Sequence, residues 1–216
     1  MANFPPDPSV LTNESDVEQK FAWPLLTISA PAGLGIPFSL IRTKPNLRDF
    51  EIEKRQNKKR YFPDYVVVIR GLPVAVWEAK PPSDDLADAI LECRLYANEL
   101  NALYPAGINP CRFCVVSNGL RTELRASDSD ELITSFQLAD AHPASPAFAQ
   151  FLAKAGYDAL SQCVADHLRK ASSVRFYRPV RMVGGSSLQD EQVPYNEFGK
   201  LLSSEFQHLF NPSSYE

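Results

Sequence analysis

Two acidic residues and a lysine flank a pair of short apolar runs near the middle of the chain. Asp64 stands just before the run 65–69, and Glu78 and Lys80 follow the run 74–77. Carboxylate oxygens are the ligands that hard divalent cations prefer, and an ammonium group beside them can hold a water molecule or offset negative charge on a phosphorane. These residue types at this spacing favour metal-assisted hydrolysis of a phosphate ester.

The two apolar runs predict an antiparallel β-hairpin that brings these groups together. Runs rich in Val and Ile that are split by a turn signal, here residues 71–73, are typical of hairpin strands. With 71–73 as the loop, Asp64 faces Lys80, and Glu78 lies on the same side because side chains alternate along a strand. A two-residue loop would place Asp64 on the opposite side, so the arrangement requires an odd-numbered loop or a bulge.

A helix is predicted before the hairpin, over about residues 13–22, where Trp23-Pro24 interrupts it. Glu14 and Glu18 are four residues apart and therefore share one face of this helix. Each has two interpretations, as a surface carboxylate or as an acid directed at the cation. The segment that follows, 25–46, is broken by prolines and shows only a plausible strand at 36–41.

A second helix follows the hairpin, with Ser83 as a good N-cap and an apolar stripe that extends to about residue 104. Glu92 and Tyr96 lie one turn apart on this helix, and a tyrosine on such a stripe is more often a core residue than a catalytic one. Further strands are predicted at 111–117, 120–126 and 132–138, with a hairpin turn at 118–119 and a helix over 145–171. This order of elements predicts an α/β sandwich.

A run of basic residues precedes Asp64: Lys54, Arg55, Lys58, Lys59 and Arg60. We call it the basic run. Such a run is most often a solvated turn, but clustered Lys and Arg next to a hydrolytic site are also what contacts to a phosphate backbone require. The net charge of −4 is not that of a strongly basic nucleic-acid binder, so the DNA-binding prediction depends on this local run.

Composition is that of an ordinary globular domain, with 44% hydrophobic and 22% charged residues. No apolar run has the length of a membrane span, and the N-terminus lacks the pattern of a signal peptide, so a cytoplasmic protein without a membrane partner is predicted. Cys111 and Cys114 have no second Cys or His pair nearby, which favours buried core cysteines over a zinc or redox site.

The motif formed by Pro63-Asp64 and Glu78-Ala79-Lys80 resembles the PD-(D/E)XK nuclease signature, and in particular the N-terminal nuclease domain of type I restriction enzyme R (motor) subunits. Three further pieces resemble that family: residues 13–17 its opening helix, residues 92–96 its Gln-x-x-x-Tyr helix motif, and residues 116–119 its strand-ending Thr-Asn-Gly. Position 92 is Glu where the family pattern has Gln, which adds a charge near the site.

The resemblance implies an α/β fold with a PD-(D/E)XK (restriction endonuclease-like) core, in which helices flank a mixed central sheet. It implies that Asp64, Glu78 and the Ala79 carbonyl hold Mg²⁺, for which Mn²⁺ can substitute, and that Lys80 orients the attacking water. Glu14, as the better match to the helix acid, and the pair Glu92 and Tyr96 would complete the catalytic site.

The implied function is a Mg²⁺-dependent endodeoxyribonuclease that cuts double-stranded DNA, as the restriction module of a type I-like restriction or phage-defence system. An ATPase or translocase domain and methylation or specificity subunits are the implied partners. Two alternatives stay open: a repair, junction-resolving or Mrr-like nuclease of the same fold, and a catalytically inert DNA-binding or assembly module.

The chain divides by sequence into four predicted parts. Residues 1–12 form an irregular lead-in, 13–171 the nuclease domain, and 172–194 a flexible linker that contains Gly184-Gly185-Ser186-Ser187. Residues 195–216 are expected to form an amphipathic helix that docks onto a following domain or a partner.

Overall fold

The computed structural model describes residues 4–44, 52–53, 60–61, 63–104, 108–129, 131–172, 176–179 and 190–193. Two compact units divide the chain, Met1–Gln162 and Cys163–Glu216. The residues that the sequence singles out for chemistry all belong to the first unit.

Within the described residues, the first unit begins with short helices, continues with five strands, a long helix and three more strands, and ends with two helices. The strands are β1 Ile41–Thr43, β2 Ile52–Glu53, β3 Arg60–Tyr61, β4 Tyr65–Ile69, β5 Leu72–Ala79, β6 Phe113–Ser117, β7 Arg121–Ala126 and β8 Leu132–Gln137. The helices are α1 Glu14–Asp16 and α2 Trp23–Thr27, joined by the π-helical segment Val17–Ala22, then α3 Ala87–Ala102, α4 Pro146–Ala155 and α5 Tyr157–Ser172, which extends into the second unit.

A mixed sheet of six strands, in the order β1-β4-β5-β6-β7-β8, forms the centre of the first unit. Strands β5 and β6 are parallel, and the other neighbours in this sheet are antiparallel. A parallel pair requires a crossover connection, and α3 supplies it between β5 and β6. The predicted α/β class, with a mixed sheet flanked by helices, is confirmed.

The hairpin β4–β5 forms as predicted, but its turn and register differ from the prediction. The turn is the two-residue pair Arg70-Gly71, both with positive φ of 51° and 76°, so that Ile69 pairs with Leu72. A register shift between Val67 and Val68 then adds one residue to β5. The three-residue loop at 71–73 is therefore wrong, and the bulge supplies the odd residue that the one-sided arrangement requires.

One face of the sheet packs against α3. Val66, Val76, Cys114 and Val116 form a buried cluster with the α3 residues Ala89, Cys93, Tyr96, Ala97 and Leu100. Cys111 and Cys114 are buried in the same cluster, which confirms the prediction of core cysteines. Val66 of β4 and Val76 of β5 are paired and point toward α3, and because side chains alternate along a strand, Asp64 and Glu78, each two residues away, lie on the same face.

The opposite face carries an aromatic core. Phe136 of β8 lies 6.4 Å from Phe21, 5.1 Å from Phe148 and 4.8 Å from Phe151, measured between ring centroids. These contacts join the N-terminal helical segment and α4 to the sheet. The predicted helix over 145–171 is two helices, since the backbone of Gly156 is extended between α4 and α5.

The N-terminal helix begins where predicted but does not end at Trp23-Pro24. Asn13 is its N-cap, with Oδ1 accepting a hydrogen bond of 2.9 Å from the Asp16 amide. The chain then continues through the π-helical segment into α2, which ends at Thr27. Pro24 lies in the first turn of α2, where its fixed φ and missing amide are tolerated.

Part of the C-terminal region predicted as a linker contains paired strands. Phe176–Pro179, here β9, pairs in antiparallel fashion with Asp190–Val193, here β10. The Gly-Gly-Ser-Ser stretch and the amphipathic helix predicted over 195–216 lie outside the described residues. Those two predictions, and the boundaries of the predicted nuclease domain, therefore stay predictions.

Gly119, in the turn after β6, provides a test of how the N-terminal helix is held. A Cβ at this position would lie 2.8 Å from Leu11 and 3.1 Å from Val17, at a φ of +80°. Gly35 has a φ of +65° but open space out to 3.5 Å, which makes it the matched control. We expect Gly35→Ala to lower the free energy of unfolding by about 1–2 kcal/mol from backbone strain alone.

Gly119→Ala should lower the free energy of unfolding by roughly 1–3 kcal/mol more than Gly35→Ala, because the added methyl group also overpacks against Leu11 and Val17. Urea unfolding of both variants measures the difference. Equal losses in the two variants would show that the turn does not support the helix.

Candidate metal centre

Asp64 lies directly before β4, beyond the last paired residues of the hairpin, Tyr65 and Trp77. Its side chain is buried, with only 2% of the residue exposed. Oδ2 accepts a hydrogen bond of 2.7 Å from the Ala79 amide, and Oδ1 contacts the Lys44 ammonium. The bulge in the hairpin places Asp64 opposite Glu78, on the face that packs against α3.

Glu78 is the penultimate residue of β5 and is 5% exposed. Its Oε1 lies 3.2 Å from the Lys80 ammonium, whereas its buried Oε2 has no hydrogen-bond partner among the residues that the structure describes. A buried carboxylate oxygen without a donor is unfavourable unless a cation or another donor satisfies it. The site therefore fits a bound metal ion, because Glu78 Oε2 is a buried acceptor that such an ion would satisfy.

Three carboxylates, those of Glu14, Glu18 and Asp64, each offer an oxygen within 4.8 Å of the others. We call these three residues the acidic cluster. Both helix acids thus face Asp64, although the sequence motif favoured Glu14 alone. Lys44, which follows β1, contacts all three members of the cluster: its Nζ touches Asp64 and lies 3.0 Å from Glu18 and 3.9 Å from Glu14.

The N-terminal helical segment is held in place beside β4 by Tyr65. The Tyr65 hydroxyl donates a hydrogen bond of 3.2 Å to the backbone carbonyl of Glu18. Its ring also packs against Trp23, with 5.7 Å between ring centroids. Because Tyr65 is the residue after Asp64, the same stretch of strand carries the buried acid and positions the helix that brings Glu18 to it.

Lys80 extends from the end of β5 toward α3 and is paired with two acids. Its Nζ lies 2.6 Å from Glu92 and 3.2 Å from Glu78. Glu92, predicted as a site residue on the family pattern, therefore contacts the lysine directly. Tyr96, one turn further along α3, is 1% exposed and belongs to the core cluster. Burial and the charges of Glu78 and Glu92 raise the pKa of its hydroxyl well above the usual range.

The backbone of Ala79 is turned toward Asp64. Its amide donates to Asp64 Oδ2, and the amide of Lys80 donates to the Ser117 carbonyl across the parallel ladder with a length of 2.8 Å. Since the N–H and C=O of one strand residue point to the same side, the Ala79 carbonyl is directed toward the Asp64 side as well. This is the direction that the predicted metal-ligand role requires.

Burial of the two carboxylates dominates the electrostatics of the site. It raises the pKa of Asp64 to about 6, although Lys44 and the Ala79 amide act in the opposite direction. Burial and the charge of Asp64 raise the pKa of Glu78 to about 8, and Lys80 offsets only part of this rise. Burial lowers the pKa of the Lys80 ammonium, but its contacts with Glu92 and Glu78 outweigh burial and raise it above the usual value.

The basic run lies mostly outside the described residues, which omit positions 54–59. Arg60 is described only through its backbone, in β3, where it pairs with Glu53 of β2. The predicted contact of the basic run with DNA therefore stays a prediction.

Lys44 is a site residue that the sequence patterns do not indicate, because it lies in the proline-broken segment where only a plausible strand at 36–41 is predicted. The strand observed there is β1, Ile41–Thr43, preceded by the short 3-10 turn Phe38–Leu40. β1 pairs with β4, with Thr43 opposite Tyr65, and this pairing carries Lys44 to the acidic cluster. A prediction of the edge strand at Ile41–Thr43 would have indicated Lys44, because it would place this lysine one residue beyond the strand, beside Asp64.

The fold and the site define an α/β protein with a cluster of carboxylates at the end of a buried hairpin. Residues 46–131 match the family model of the type I restriction enzyme R protein N terminus, which confirms the predicted resemblance to that domain. Comparison with curated proteins and comparison with solved structures each found no match. The matched segment contains Asp64, Glu78, Lys80, Glu92 and Tyr96, whereas the two helix acids and Lys44 precede it.

Within the described part of the chain, no helix combines the length and the apolar character that a membrane span requires.

The electrostatics predict that Glu78 destabilises the metal-free protein as the pH rises. Its folded-state pKa of about 8 exceeds the ordinary value of 4.5, so the folded state binds this proton more tightly than the unfolded state. The stabilising contribution of the protonated form is present below pH 4.5 and is lost between pH 4.5 and about 8. In EDTA, Glu78→Gln should therefore lose less thermal stability than the wild type over this window.

Glu123 provides the matched control, because it is 3% exposed but has both oxygens paired, at 2.6 Å with Arg121 and 2.7 Å with Arg125. Glu123→Gln should lower the melting temperature, whereas Glu78→Gln should raise it at about pH 8. Thermal unfolding monitored by circular dichroism measures both. Parallel pH profiles for Glu78→Gln and the wild type would contradict the prediction.

Proposed function

We propose that this chain is a divalent-metal-dependent endodeoxyribonuclease module with a PD-(D/E)XK core that hydrolyses phosphodiester bonds of double-stranded DNA. The observation that carries the proposal is the contact set at the end of β5. There the Ala79 amide donates to Asp64, the Lys80 ammonium contacts Glu78, and one buried oxygen of Glu78 has no partner among the described residues, all within the segment that matches the restriction enzyme family. That family suggests a nuclease and, with it, a divalent metal ion.

The ion would be held by Asp64, Glu78 and the Ala79 carbonyl. Glu14 and Glu18 each offer a further carboxylate oxygen within 4.8 Å of Asp64. Oxygen ligands of this kind suit Mg²⁺, and Mn²⁺ is expected to substitute. When bound, the ion supplies Lewis-acid charge that acidifies water and polarises a phosphate oxygen.

Lys80 is the residue positioned to act on the reacting groups. Its ammonium is held by Glu92 at 2.6 Å and by Glu78 at 3.2 Å, so it stays beside the metal ligands instead of extending into solvent. In this position it orients an attacking water and offsets the negative charge that develops in the transition state. Glu92 acts through Lys80 as a positioning residue, and Tyr96 supports α3 from the core.

The DNA substrate and the protein partners follow from the family that the chain resembles. The basic run precedes Asp64 in sequence and offers phosphate contacts that do not depend on base sequence. A type I-like restriction or phage-defence system would supply an ATPase or translocase and methylation or specificity subunits. A preference for branched or methylated DNA would instead assign the chain to a repair, junction-resolving or Mrr-like nuclease.

Metal binding is the first test of the proposal. Asp64→Asn and Glu78→Gln each remove a charged ligand while conserving volume, so both should lower Mn²⁺ affinity by at least about tenfold. Calorimetric titration of Mn²⁺ measures this, with Glu123→Gln as a buried glutamate outside the site. Unchanged affinity in both site variants would contradict the assignment of these residues as ligands.

Lys80 separates an enzyme from an inert binding module. Its charge is needed mainly as the transition state gains negative charge, so Lys80→Ala should retain metal and DNA affinity while cleavage falls by a factor on the order of 10² or more. Lys80→Arg should restore little activity, because a planar guanidinium does not replace a compact ammonium. Parallel binding and plasmid-cleavage assays with Mg²⁺ or Mn²⁺ decide the matter.

The control for this experiment is Lys20→Ala, which removes a lysine paired with Asp16 at 2.6 Å on the N-terminal helix. It should leave cleavage unchanged. Absence of cleavage in the wild type with either metal and any form of DNA would favour the inert DNA-binding or assembly module.

A further inference from the structure

Lys44 occupies the position of a cation within the acidic cluster. Its ammonium contacts Asp64, lies 3.0 Å from Glu18 and 3.9 Å from Glu14, and so touches the same three carboxylates that lie within 4.8 Å of one another. We propose that Lys44 is a built-in counter-cation that holds the acidic cluster together in the metal-free protein and must leave it when a divalent ion binds. The inference rests on the metal dependence of the proposed function.

The geometry makes the two cations mutually exclusive. Ligand oxygens on opposite sides of a Mg²⁺ ion are about 4 Å apart, and those around the larger Ca²⁺ about 5 Å. The oxygens of the acidic cluster, all within 4.8 Å of one another, already have nearly this spacing. Asp64 belongs both to this cluster and to the proposed metal ligands, so a divalent ion on its carboxylate competes directly with the Lys44 ammonium that contacts it.

The charge balance shows why a cation is needed there. Asp64 is 2% exposed and lies beside Glu78, which is itself 5% exposed and retains an unsatisfied oxygen. An isolated carboxylate in such surroundings is strongly unfavourable unless an opposite charge is in contact with it. Lys44 satisfies the Asp64 side, whereas the unsatisfied Glu78 oxygen marks a place that one ammonium does not reach.

The two lysines of the site differ in how freely they can leave. The Lys80 side chain is 16% exposed and is held between Glu78 and Glu92. The Lys44 side chain is 41% exposed, on a flexible four-carbon stem at the end of an edge strand. Lys44 can therefore rotate its ammonium into solvent without unpacking the core, while Lys80 stays in place.

Direct competition predicts a measurable penalty on metal affinity. Lys44→Met keeps the length of the side chain and removes its charge, so Mn²⁺ should bind this variant about tenfold more tightly than the wild type, or better. Its melting temperature in EDTA should fall, and the rise on adding Mn²⁺ should exceed that of the wild type. Lys20→Met is the control: it removes an exposed ammonium that is paired with Asp16 at 2.6 Å instead of with the acidic cluster, so it should leave the affinity nearly unchanged.

A second measurement follows the displacement itself in the wild-type protein. Limited acylation of amines, read by peptide mass spectrometry, should modify Lys44 slowly in EDTA and several-fold faster with saturating Mn²⁺. Lys20 should react at the same rate in both conditions. This measurement does not depend on a variant, so it decides the proposal even when Lys44→Met fails to fold.

The outcomes separate this inference from the proposed function. If Mn²⁺ binds wild type and Lys44→Met equally, or binds without accelerating the acylation of Lys44, the displacement is overturned and the metal site stands. If Mn²⁺ binds the wild type but not a folded Lys44→Met, Lys44 supports the metal instead of competing with it, and the inference is again overturned. If Mn²⁺ binds neither folded protein, the metal dependence of the proposed function is overturned together with the inference.

Discussion

The site depends on two buried carboxylates, Asp64 and Glu78, which lie on facing strands at the open end of one hairpin. Each is unfavourable where it lies, since both are almost fully removed from water and they repel each other. The surroundings compensate in three ways: an amide hydrogen bond from Ala79, the ammonium of Lys44 and the ammonium of Lys80. One oxygen of Glu78 has no partner within the described part of the chain, and the proposed cation-binding function would explain why the sheet retains it.

The rest of the fold delivers these compensating groups from separate parts of the chain. The edge strand β1 carries Lys44, the central strand β5 carries Lys80, and α3 brings Glu92 to hold Lys80. The parallel pairing of β5 with β6 makes α3 obligatory as a crossover, so the helix that covers the site is also the connection that the sheet requires. The same three elements thus complete the sheet and carry the side chains of the site, so substitutions in them are expected to change stability and function together.

Much of the fold could be predicted from local patterns, and the site only in part. Short Val-rich runs, the Asn118-Gly119 turn and the apolar stripe of α3 each depend on neighbours in sequence, and all appear in the structure. The register of the hairpin could not be predicted, because Arg70 adopts a positive φ that its residue type disfavours and a bulge opposite Val67 and Val68 adds a residue that the uniform Val-rich run does not mark. Lys44 could not be predicted either, since its proximity to Asp64 depends on a tertiary strand pairing in a segment whose prolines obscure any periodicity.

The tie between Tyr65 and Glu18 bridges residues 47 apart in sequence, whereas the β4–β5 hairpin closes through a turn of two residues. Closure of a short loop is fast and entropically inexpensive, whereas docking of the distant N-terminal helix has to overcome a larger loss of chain entropy. During folding, the hairpin can therefore form with Asp64 and Glu78 while Glu14 and Glu18 are still remote. The full set of carboxylates exists only in the completed native state, so the unfolded chain offers a divalent ion no comparable site, and a bound ion would act as a selective ligand of the native protein.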